Sequence, residues 1–278
     1  MAVAFSSSVE EVLKRTVHIS RQTVSDHSDE ELSQCFELDR CSKWINDRSF
    51  RRVALQFPDD LLSMSVRVAQ KLGSTVADCK LYILGDTSFG SCCVDEVAAE
   101  HAACQGVIHF GHSCLSPPSR LEVLLVLGVY PIDWTPLGLQ LSQIQPTAFE
   151  PPSAASQPDK ASQPADIEFL VIVDTKYCSQ IDIIRGQLPS GAIIGHPIVP
   201  GDENPECEGR EMFRRIFPTR RPLSDFRSLL WVGRDGQALV NVLLQFYSAT
   251  VWAYDPETGT LQRQGMSIVS INRYGCFS

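Results

Sequence analysis

Short apolar runs alternate with stretches of helical periodicity along most of the chain. Such runs predict strands that are buried on both faces of a parallel sheet, because a strand with one wet face would alternate apolar and polar residues. Eight runs fit this description, at 53–57, 81–84, 107–110, 121–128, 169–173, 192–195, 229–232 and 250–254. The pattern therefore predicts an α/β fold made of βαβ units.

Helical patterns occupy most of the intervals between these strands. A helix is predicted to open at Ser28 or Asp29 and to run to about Ile45, and a short one is predicted near 10–15. Further helices are predicted at 59–72 (ended by Gly73), 94–104, 180–188 and 239–247. Together, strands and helices predict two successive four-stranded parallel-sheet units with flanking helices, which suggests a structural duplication.

The two predicted units span 28–130 and 167–260. Between them, residues 131–166 are rich in Pro, Ser, Ala and Gln, a composition that buries too little apolar surface to fold, so a linker or long surface insertion is expected. Residues 1–27 are predicted to be a flexible N-terminus, and 261–278 an atypical C-terminal tail.

Composition and charge narrow the classes of partner. Apolar residues make up 44% and charged residues 21% of the 278-residue chain, as in ordinary globular proteins. The net charge of −9 argues against nucleic acid or a membrane surface as partner, since both are anionic. No apolar run is long enough for a membrane span, and the N-terminus lacks the order of a secretory signal. Ten cysteines without such a signal favour a reducing, cytoplasmic location.

The densest group of reactive side chains lies within 85–120. Cys92 and Cys93 follow the second predicted strand, and Cys114 follows the third. Consecutive β-to-α loops of a parallel sheet emerge at the same carboxyl edge, so these thiols are expected to be neighbours. Cys92 and Cys93 are predicted to open the helix at 94–104, whose dipole favours thiolates, and thiolates ligate iron–sulfur clusters and zinc.

The ligand pair follows from helix geometry. Adjacent residues on a helix point about 100° apart. We therefore expect Cys93 to pair with Cys114, with Cys92 as the alternative to Cys93. The other thiols are scattered and are predicted to be structural or incidental: Cys35, Cys41, Cys79, Cys104, Cys178 and Cys207.

Other chemistries remain open for this segment. Residues 85–91 superficially resemble a phosphate-binding loop, but the lysine that such a loop requires is missing. A zinc site is disfavoured because no C-x-x-C motif occurs. A nucleophile pair of Cys93 with His109 or His112 is conceivable, and inert thiols are a further alternative.

Longer segments carry a family resemblance. They are VALQFPDDLL at 53–62, ILGDTSFGSCCVDEVAAEH at 83–101, HFGHSCLSPPSR at 109–120, WVGRDGQALVNVLLQF at 231–246 and AYDPETG at 253–259. These segments resemble the eukaryotic diphthamide-biosynthesis proteins over about 45–272. The likeness is to the accessory subunit, protein 2 of that pathway, rather than to its catalytic subunit, protein 1.

The resemblance implies a function. It implies a heterodimer with the catalytic subunit, which transfers a 3-amino-3-carboxypropyl group from S-adenosylmethionine to a histidine of translation elongation factor 2. It further implies that the accessory subunit carries its own [4Fe–4S] cluster and helps to keep the catalytic cluster reduced. A small reductant protein, protein 3 of the pathway, is an implied third partner.

Residue by residue, Cys93 (or Cys92) and Cys114 match the cluster cysteines of the family's first domain. In the second unit, His196 stands where the catalytic subunit has a cysteine, which agrees with an accessory role; a simple loop histidine is the plainer interpretation. The resemblance ends near Arg273, so a C-terminally shortened form without the family's third α/β domain is expected. Cys276 near the end is a poor substitute for that domain's ligand.

Two thiolates would leave a four-iron cluster half unprotected. The resulting hypothesis is that this chain binds a cluster weakly or not at all. The leading expectation is an electron-handling accessory subunit that is not catalytic alone. A metal-free interaction module for the catalytic subunit is the second, with a non-functional shortened form beside it, and an independent flavodoxin-like enzyme with Cys93 as nucleophile is the third.

Overall fold

The computed structural model describes residues 28–76, 78–85, 91–144, 168–200 and 208–264. The helix predicted near 10–15 lies outside these ranges, as do Cys207 and Cys276. Most of the suspected phosphate loop, 86–90, also lies outside them. Within the described parts of the chain, no helix has the length and apolar character needed to cross a membrane.

Four strands form the first sheet, and all of them were predicted. They are β1 Arg52–Gln56, β2 Lys80–Leu84, β3 Gly106–Phe110 and β4 Glu122–Val126. They lie in the order β2-β1-β3-β4, and every neighbouring pair is parallel. All five residues of β3 are buried, which is why this strand has no polar alternation in the sequence. The predicted four-stranded parallel unit is confirmed.

Four helices belong to this part of the chain: α1 Asp29–Cys35, α2 Leu38–Asp47, α3 Ser65–Thr75 and α4 Glu96–His101. The single helix expected from Ser28 to Ile45 is wrong, because the chain breaks at Glu37, whose φ of 48° lies in the left-handed region. Ser28 does open the first helix, through a capping box with Glu31.

Two helix ends also differ from the prediction. The segment expected to be helical from residue 59 first makes a turn, with the Leu61 N–H bonded to the Pro58 carbonyl, and a 3₁₀ turn at Leu62–Met64 before α3 begins. Gly73 does not end α3, which continues to Thr75. Glycine weakens a helix but does not forbid it, and burial of Leu72 on the same helix supports the last turn.

The described residues of the second unit form eight strands: β5 Phe169–Val173, β6 Ala192–Ile194, β7 His196–Pro197, β8 Arg210–Met212, β9 Arg215–Phe217, β10 Ser228–Val232, β11 Thr250–Asp255 and β12 Thr260–Gln264. Five form a sheet in the order β12-β11-β10-β5-β6, in which only β12 is antiparallel. The four predicted parallel strands are confirmed. Their order, β6-β5-β10-β11, repeats the order β2-β1-β3-β4 of the first sheet, as the suspected duplication requires.

Four strands of the second unit were not predicted. Strand β12 returns antiparallel to β11 through a turn in which Gly259 adopts φ +63°. Its residues are mostly polar and exposed, so the sequence lacks an apolar run there. Strands β7, β8 and β9 form a small antiparallel sheet of two- and three-residue strands, too short for any periodicity.

Three helices complete the described fold: α5 Thr135–Gln143, α6 Ile181–Arg185 and α7 Gln237–Gln245. Helix α5 lies inside the segment predicted to be a linker, although its Leu137 and Leu141 are buried. Residues 145–167 of that segment are outside the described ranges. The predicted boundaries of the two units stay predictions.

The two sheets share one apolar core. This core contains Ala54 and Val107 from the first sheet, together with Val171 and Leu230 from the second. The opposite faces of the two sheets are covered separately, each by its own apolar cluster. Because successive residues of a strand point to opposite faces, each sheet is buried on both sides. The carboxyl edges of the two sheets meet where His112, which follows β3, bonds to Asp174, which follows β5.

Candidate metal centre

The cysteines lie at the point where the strand order of the first sheet reverses. From β1 the chain moves to β2 on one side, whereas from β3 it continues to β4 on the other, so the loops after β1 and β3 lead in opposite directions and leave a crevice between them. The loop after β2 returns toward β3 and reaches this crevice, where the Cys93 carbonyl accepts a hydrogen bond from Gln56 at the end of β1. Such a crevice, outside the carboxyl ends of parallel strands, is where ligands bind in open α/β sheets. Cys92 and Cys93 lie on the loop after β2, and Cys114 lies on the loop after β3.

The three sulfurs lie together. The Sγ atoms of Cys93 and Cys114 are 3.8 Å apart, and those of Cys92 and Cys93 are 3.9 Å apart. All three lie within 4.8 Å of one another. The predicted proximity of Cys93 and Cys114 is confirmed, but the expectation that Cys92 and Cys93 face different directions is wrong.

The reason for this difference is the start of helix α4. The helix begins at Glu96, and the side chain of Asp95 caps it by accepting the N–H of Ala98 at 2.9 Å. Cys92 and Cys93 therefore lie in a turn before the helix, where a spacing of 100° per residue does not apply. The predicted thiolate stabilisation by the helix dipole is also wrong, since neither cysteine opens the helix.

Backbone contacts hold the two cysteine loops against each other. The N–H of Cys114 donates to the carbonyl of Cys92 at 3.1 Å. Directly after β3, Gly111 adopts φ +84°, and a Cβ there would lie 3.0 Å from the Pro58 ring. Glycine is therefore needed to turn the chain toward Cys114.

The thiols differ in acidity. Burial and the two neighbouring thiols raise the pKa of Cys93 to about 12. Burial and the charge of Cys114 raise the pKa of Cys92. Burial opposes ionisation of Cys114 as well, but hydrogen bonds from Ser116 and from the other two thiols outweigh it and lower the pKa of Cys114. Of the three thiols, Cys114 therefore ionises most readily, and a bound cation would favour ionisation of Cys92 and Cys93.

A contact between the two units lies beside Cys114. The Nδ1–H of His112 donates to Oδ1 of Asp174 at 3.0 Å, and Oγ1 of Thr175 lies 2.8 Å from the same nitrogen. The hydrogen bond to Asp174 raises the pKa of His112. Burial alone would raise the pKa of Asp174, but His112 and other donors hold it below its usual range. The second unit thus anchors the loop that carries Cys114.

The nucleophile pair considered from the sequence has no support in this geometry. Nε2 of His109 donates to the carbonyl of His112 at 3.2 Å, and His112 itself faces Asp174. Both imidazoles therefore have other partners. The raised pKa of Cys93 also opposes the thiolate that a nucleophile needs.

The sequence analysis did not predict Gln56 at this site, and it considered His109 only as the partner of a nucleophile. Gln56 and His109 are both fully buried, at 0% exposure, near the carboxyl ends of β1 and β3. Asp174 follows β5 and supports His112 from the second unit. The available signal was the interruption of two apolar runs by Gln56 and His109 close to their ends.

The donor set fits a metal group. Three clustered thiols are ligands for borderline and soft metals, including zinc and iron–sulfur clusters. A single tetrahedral ion bound at about 2.3 Å would hold its sulfurs roughly 3.8 Å apart, close to the distances found here. A cluster, in which each thiolate binds a different iron, requires the sulfurs to spread. Cys114 is exposed on its loop, which leaves room for this change.

The second unit lacks a comparable thiol group among its described residues. Cys178 is buried, bonds to the carbonyls of Val173 and Asp174, and has a pKa raised to about 12 by burial. His196 lies in strand β7, with its Nε2 2.6 Å from the Arg185 guanidinium. Burial and the Arg185 charge lower the pKa of His196.

Comparison with known proteins places the chain in a family. Residues 57–274 match the family model of the diphthamide synthesis proteins. The chain is 33% identical, over 96% of its length and 53% of the relative's, to 2-(3-amino-3-carboxypropyl)histidine synthase subunit 2 of Gallus gallus. The same subunit of Rattus norvegicus is 44% identical over 78% of this chain and 42% of its own length.

Solved structures share the fold. Dph2 from Pyrococcus horikoshii with a 4Fe–4S cluster superposes with a TM-score of 0.57 at 15% identity, covering 82% of this chain and 61% of that one. The chain spans about half the length of the curated relatives that it matches. The chain belongs to the family of diphthamide synthesis proteins.

Proposed function

We propose that this chain is an accessory iron–sulfur subunit for the first step of diphthamide synthesis. That step transfers a 3-amino-3-carboxypropyl group from S-adenosylmethionine to a histidine of translation elongation factor 2. The chain would hold a [4Fe–4S] cluster and support reduction of the catalytic subunit's cluster, without being catalytic alone. The observation that carries the proposal is the group of three cysteine sulfurs within 4.8 Å at the crevice of the first sheet.

The names of similar proteins support this proposal. The curated relatives are subunits 2 of 2-(3-amino-3-carboxypropyl)histidine synthase, and a subunit implies a complex. The Pyrococcus horikoshii protein with the same fold was solved with a 4Fe–4S cluster. A heterodimer with the catalytic subunit, an electron supply from the pathway's small reductant protein and a cytoplasmic location belong to the same proposal.

The residues that would hold the cluster are Cys92, Cys93 and Cys114. When bound, a cluster supplies one-electron transfer at a potential set by its surroundings. Three thiolates from the described residues leave one iron of a four-iron cluster without a cysteine. The hypothesis of weak or absent binding counted two thiolates, whereas three sulfurs lie together at this site. We therefore propose that the chain binds a cluster.

The remaining residues of the site give each loop a defined position. The Cys114 N–H bonded to the Cys92 carbonyl joins the two loops directly. Asp174 and Thr175 hold His112 two residues before Cys114. A site whose ligands are held before the metal arrives loses less conformational freedom on binding, which favours affinity.

Co-purification with the catalytic subunit tests the proposal. The chain and a variant with Cys92, Cys93 and Cys114 all changed to serine are each co-expressed anaerobically with a tagged catalytic subunit. We expect both to co-purify, and the wild-type complex to show more visible cluster absorption than the variant complex. Equal absorption and equal complementation of a strain lacking the accessory subunit would contradict a metal role and leave the metal-free interaction module.

A single bound zinc ion is the second candidate. It is favoured by the distances of 3.8 and 3.9 Å between neighbouring sulfurs, which suit one tetrahedral ion without rearrangement. Elemental analysis of anaerobically purified protein separates the two candidates. Iron accompanied by acid-labile sulfide supports the cluster, and zinc without sulfide supports the single ion.

A further inference from the structure

Two buried polar side chains lie side by side beneath the cysteine loops. Gln56, the last residue of β1, is the register partner of His109 on β3. Register partners on parallel strands point to the same face of a sheet. Ala54 and Val107, two positions earlier on this face, belong to the apolar core that the two units share. The two polar residues thus follow the apolar pair Ala54 and Val107 on this face, at the edge that carries the thiols.

Gln56 holds the loop that contains Cys92 and Cys93. Its Nε2 donates to the carbonyl of Cys93 at 2.8 Å, and its Oε1 accepts the N–H of Asp95 at 2.9 Å. One amide therefore fixes the backbone on both sides of Val94. Because Gln56 is itself fully buried in the sheet, its amide has little freedom to follow a shifted loop.

His109 holds the other loop. Its Nε2–H donates to the carbonyl of His112 at 3.2 Å. Burial lowers the pKa of His109 to about 4, so the ring is neutral near pH 7 and carries one N–H. With that N–H on Nε2, Nδ1 is a buried acceptor without a hydrogen-bond partner among the described residues. The His109 side chain therefore bonds to the loop through Nε2, while its Nδ1 is left without a hydrogen-bond partner among the described residues.

The second unit provides an internal comparison. Its strands follow the same order, and Val173, the last residue of β5, is the register partner of Val232 on β10. The valine pair occupies the positions that correspond to Gln56 and His109. The repeated fold therefore packs well with two apolar side chains at this point, and the polar pair is found at the edge where the loops carry clustered thiols.

We propose that Gln56 and His109 are positioning residues for the three-cysteine site, each fixing one cysteine loop to the end of a strand. This inference rests on the proposed metal role of the cysteines. If either side chain loses its hydrogen bonds to a cysteine loop, that loop is free to shift. Bringing the three sulfurs together then costs conformational entropy, which weakens metal binding. Neither side chain is one of the three proposed ligands.

Cadmium binding tests the proposal independently of iron. Cd²⁺ prefers thiolates, and sulfur-to-cadmium charge transfer in the ultraviolet reports the bound thiolates. Titration of the reduced chain with Cd²⁺ compares the wild type with His109→Leu and His109→Gln. The amide nitrogen of glutamine can take the place of Nε2 and donate to the His112 carbonyl, whereas leucine fills the space without a donor.

The relative Cd²⁺ affinities of these two variants distinguish a positioning role of His109 from a role in core packing. We expect His109→Leu to lose about tenfold in Cd²⁺ affinity, the lower end of the range for groups that support metal ligands, and His109→Gln to recover most of it. If the residue only fills the core, leucine should be as good as or better than glutamine. Equal affinities for the two variants, or a higher affinity for leucine, overturn the proposal for His109.

A matched pair of substitutions tests Gln56. Gln56→Met keeps the length of the side chain and removes both hydrogen bonds. Gln180→Met is the control, since Gln180 is also buried and bridges Trp134 and Tyr130, away from the cysteines. We expect about a tenfold loss of Cd²⁺ affinity for Gln56→Met and little change for the control. Equal losses in both variants would mean a general effect on folding and overturn the proposal for Gln56.

These outcomes separate the inference from the proposed function. If the variants show the expected order of Cd²⁺ affinities but the chain binds no iron–sulfur cluster, the positioning role is upheld and only the cluster is rejected. A chain that binds a cluster, with all four variants equal to wild type in Cd²⁺ affinity, rejects the positioning role alone. Far-UV circular dichroism of each variant checks that the fold is retained; if His109→Leu fails to fold, the Gln56 and Gln180 variants decide the question.

Discussion

The carboxyl edges of the two sheets carry different side chains on the same arrangement of strands. At the first edge, three thiols meet above Gln56 and His109. At the second edge, Val173 and Val232 occupy the corresponding positions, and the loops present charged groups such as Asp174. The repeated strand order thus determines where the loops come together. The residues in these loops and at the strand ends determine what each edge can bind.

The two edges also meet. Asp174 from the second edge holds His112 at the first, and Arg214 donates to the carbonyl of Leu115 at 3.4 Å. Both contacts reach the loop that carries Cys114. The second unit therefore acts on the metal centre as a support rather than as a source of thiol ligands among the described residues.

Loss of the central thiol should have the largest effect. Cys93 lies within 4 Å of both neighbouring sulfurs, so we expect Cys93→Ser to abolish cluster binding after anaerobic reconstitution. Cys178→Ser is the control at the second edge, because that thiol is buried and bonds to the carbonyls of Val173 and Asp174 rather than to another cysteine. Iron and sulfide analysis measures both variants. Equal losses of iron and sulfide from the two variants would mean that the first edge has no special role in cluster binding.

Loss of shared core packing should come next. Leu137 on α5 is fully buried in the core common to both units, so Leu137→Ala should lower the free energy of unfolding by about 2–5 kcal/mol. The exposed Leu139→Ala on the same helix should change it by no more than about 0.5 kcal/mol. Denaturant unfolding measures both. Two separate transitions, with only one moved by Leu137→Ala, would argue against a common core.

The contact between the edges should contribute less. Asp174→Asn keeps the shape of the side chain and removes the charge that holds His112. We expect iron to be lost to a chelator roughly fivefold faster, since a charge-assisted hydrogen bond beside Cys114 is weakened. Glu257→Gln is the control, because Glu257 pairs with Lys176 on the same edge. A wild-type rate for Asp174→Asn would mean that the second unit gives no support.

The smallest effect concerns the loop after Cys114. Burial would raise the pKa of Glu96, but backbone N–H groups of Ser119, Leu121 and Arg120 outweigh it and lower this pKa. The stabilisation is therefore present above the unfolded-state pKa of about 4.3 and is lost as the pH falls through the lower folded-state value.

Glu96→Gln should therefore lower the free energy of unfolding by about 1 kcal/mol at pH 7, a value that already allows for the partial exposure of Glu96. At a pH below the folded-state pKa of Glu96, the same substitution should have almost no effect. Urea unfolding at several pH values measures the difference. Glu100, on the same helix as Glu96, forms an exposed ion pair with Arg120. Glu100→Gln removes this pair and should lower the free energy of unfolding by less than Glu96→Gln does. A cost for Glu96→Gln that does not change with pH would contradict the assignment.

Much of the fold could be predicted because burial on both faces leaves a plain apolar run. All eight strands predicted from such runs are present, and the 169–173 strand has the predicted bounds. Strand β12 could not be found in this way, because a polar edge strand has no such run. The helix break at Glu37 depends on a left-handed backbone residue that no periodicity reveals.

The candidate site was predictable only in part. The proximity of Cys93 and Cys114 follows from parallel strands alone, since consecutive loops share an edge. The orientation of Cys92 depends on where α4 begins, and that is set by the Asp95 cap. The roles of Gln56 and His109 depend on contacts with residues far along the chain or in a different loop, which a single sequence does not disclose.

Metal counting after anaerobic reconstitution tests the central claim most directly. The chain and its Cys92, Cys93 and Cys114 triple-serine variant are reconstituted with iron and sulfide, desalted and analysed for both. We expect about four irons and four sulfides per wild-type chain and a background level in the variant. Equal iron in the two proteins, or zinc bound by the wild type in place of iron and sulfide, would contradict it.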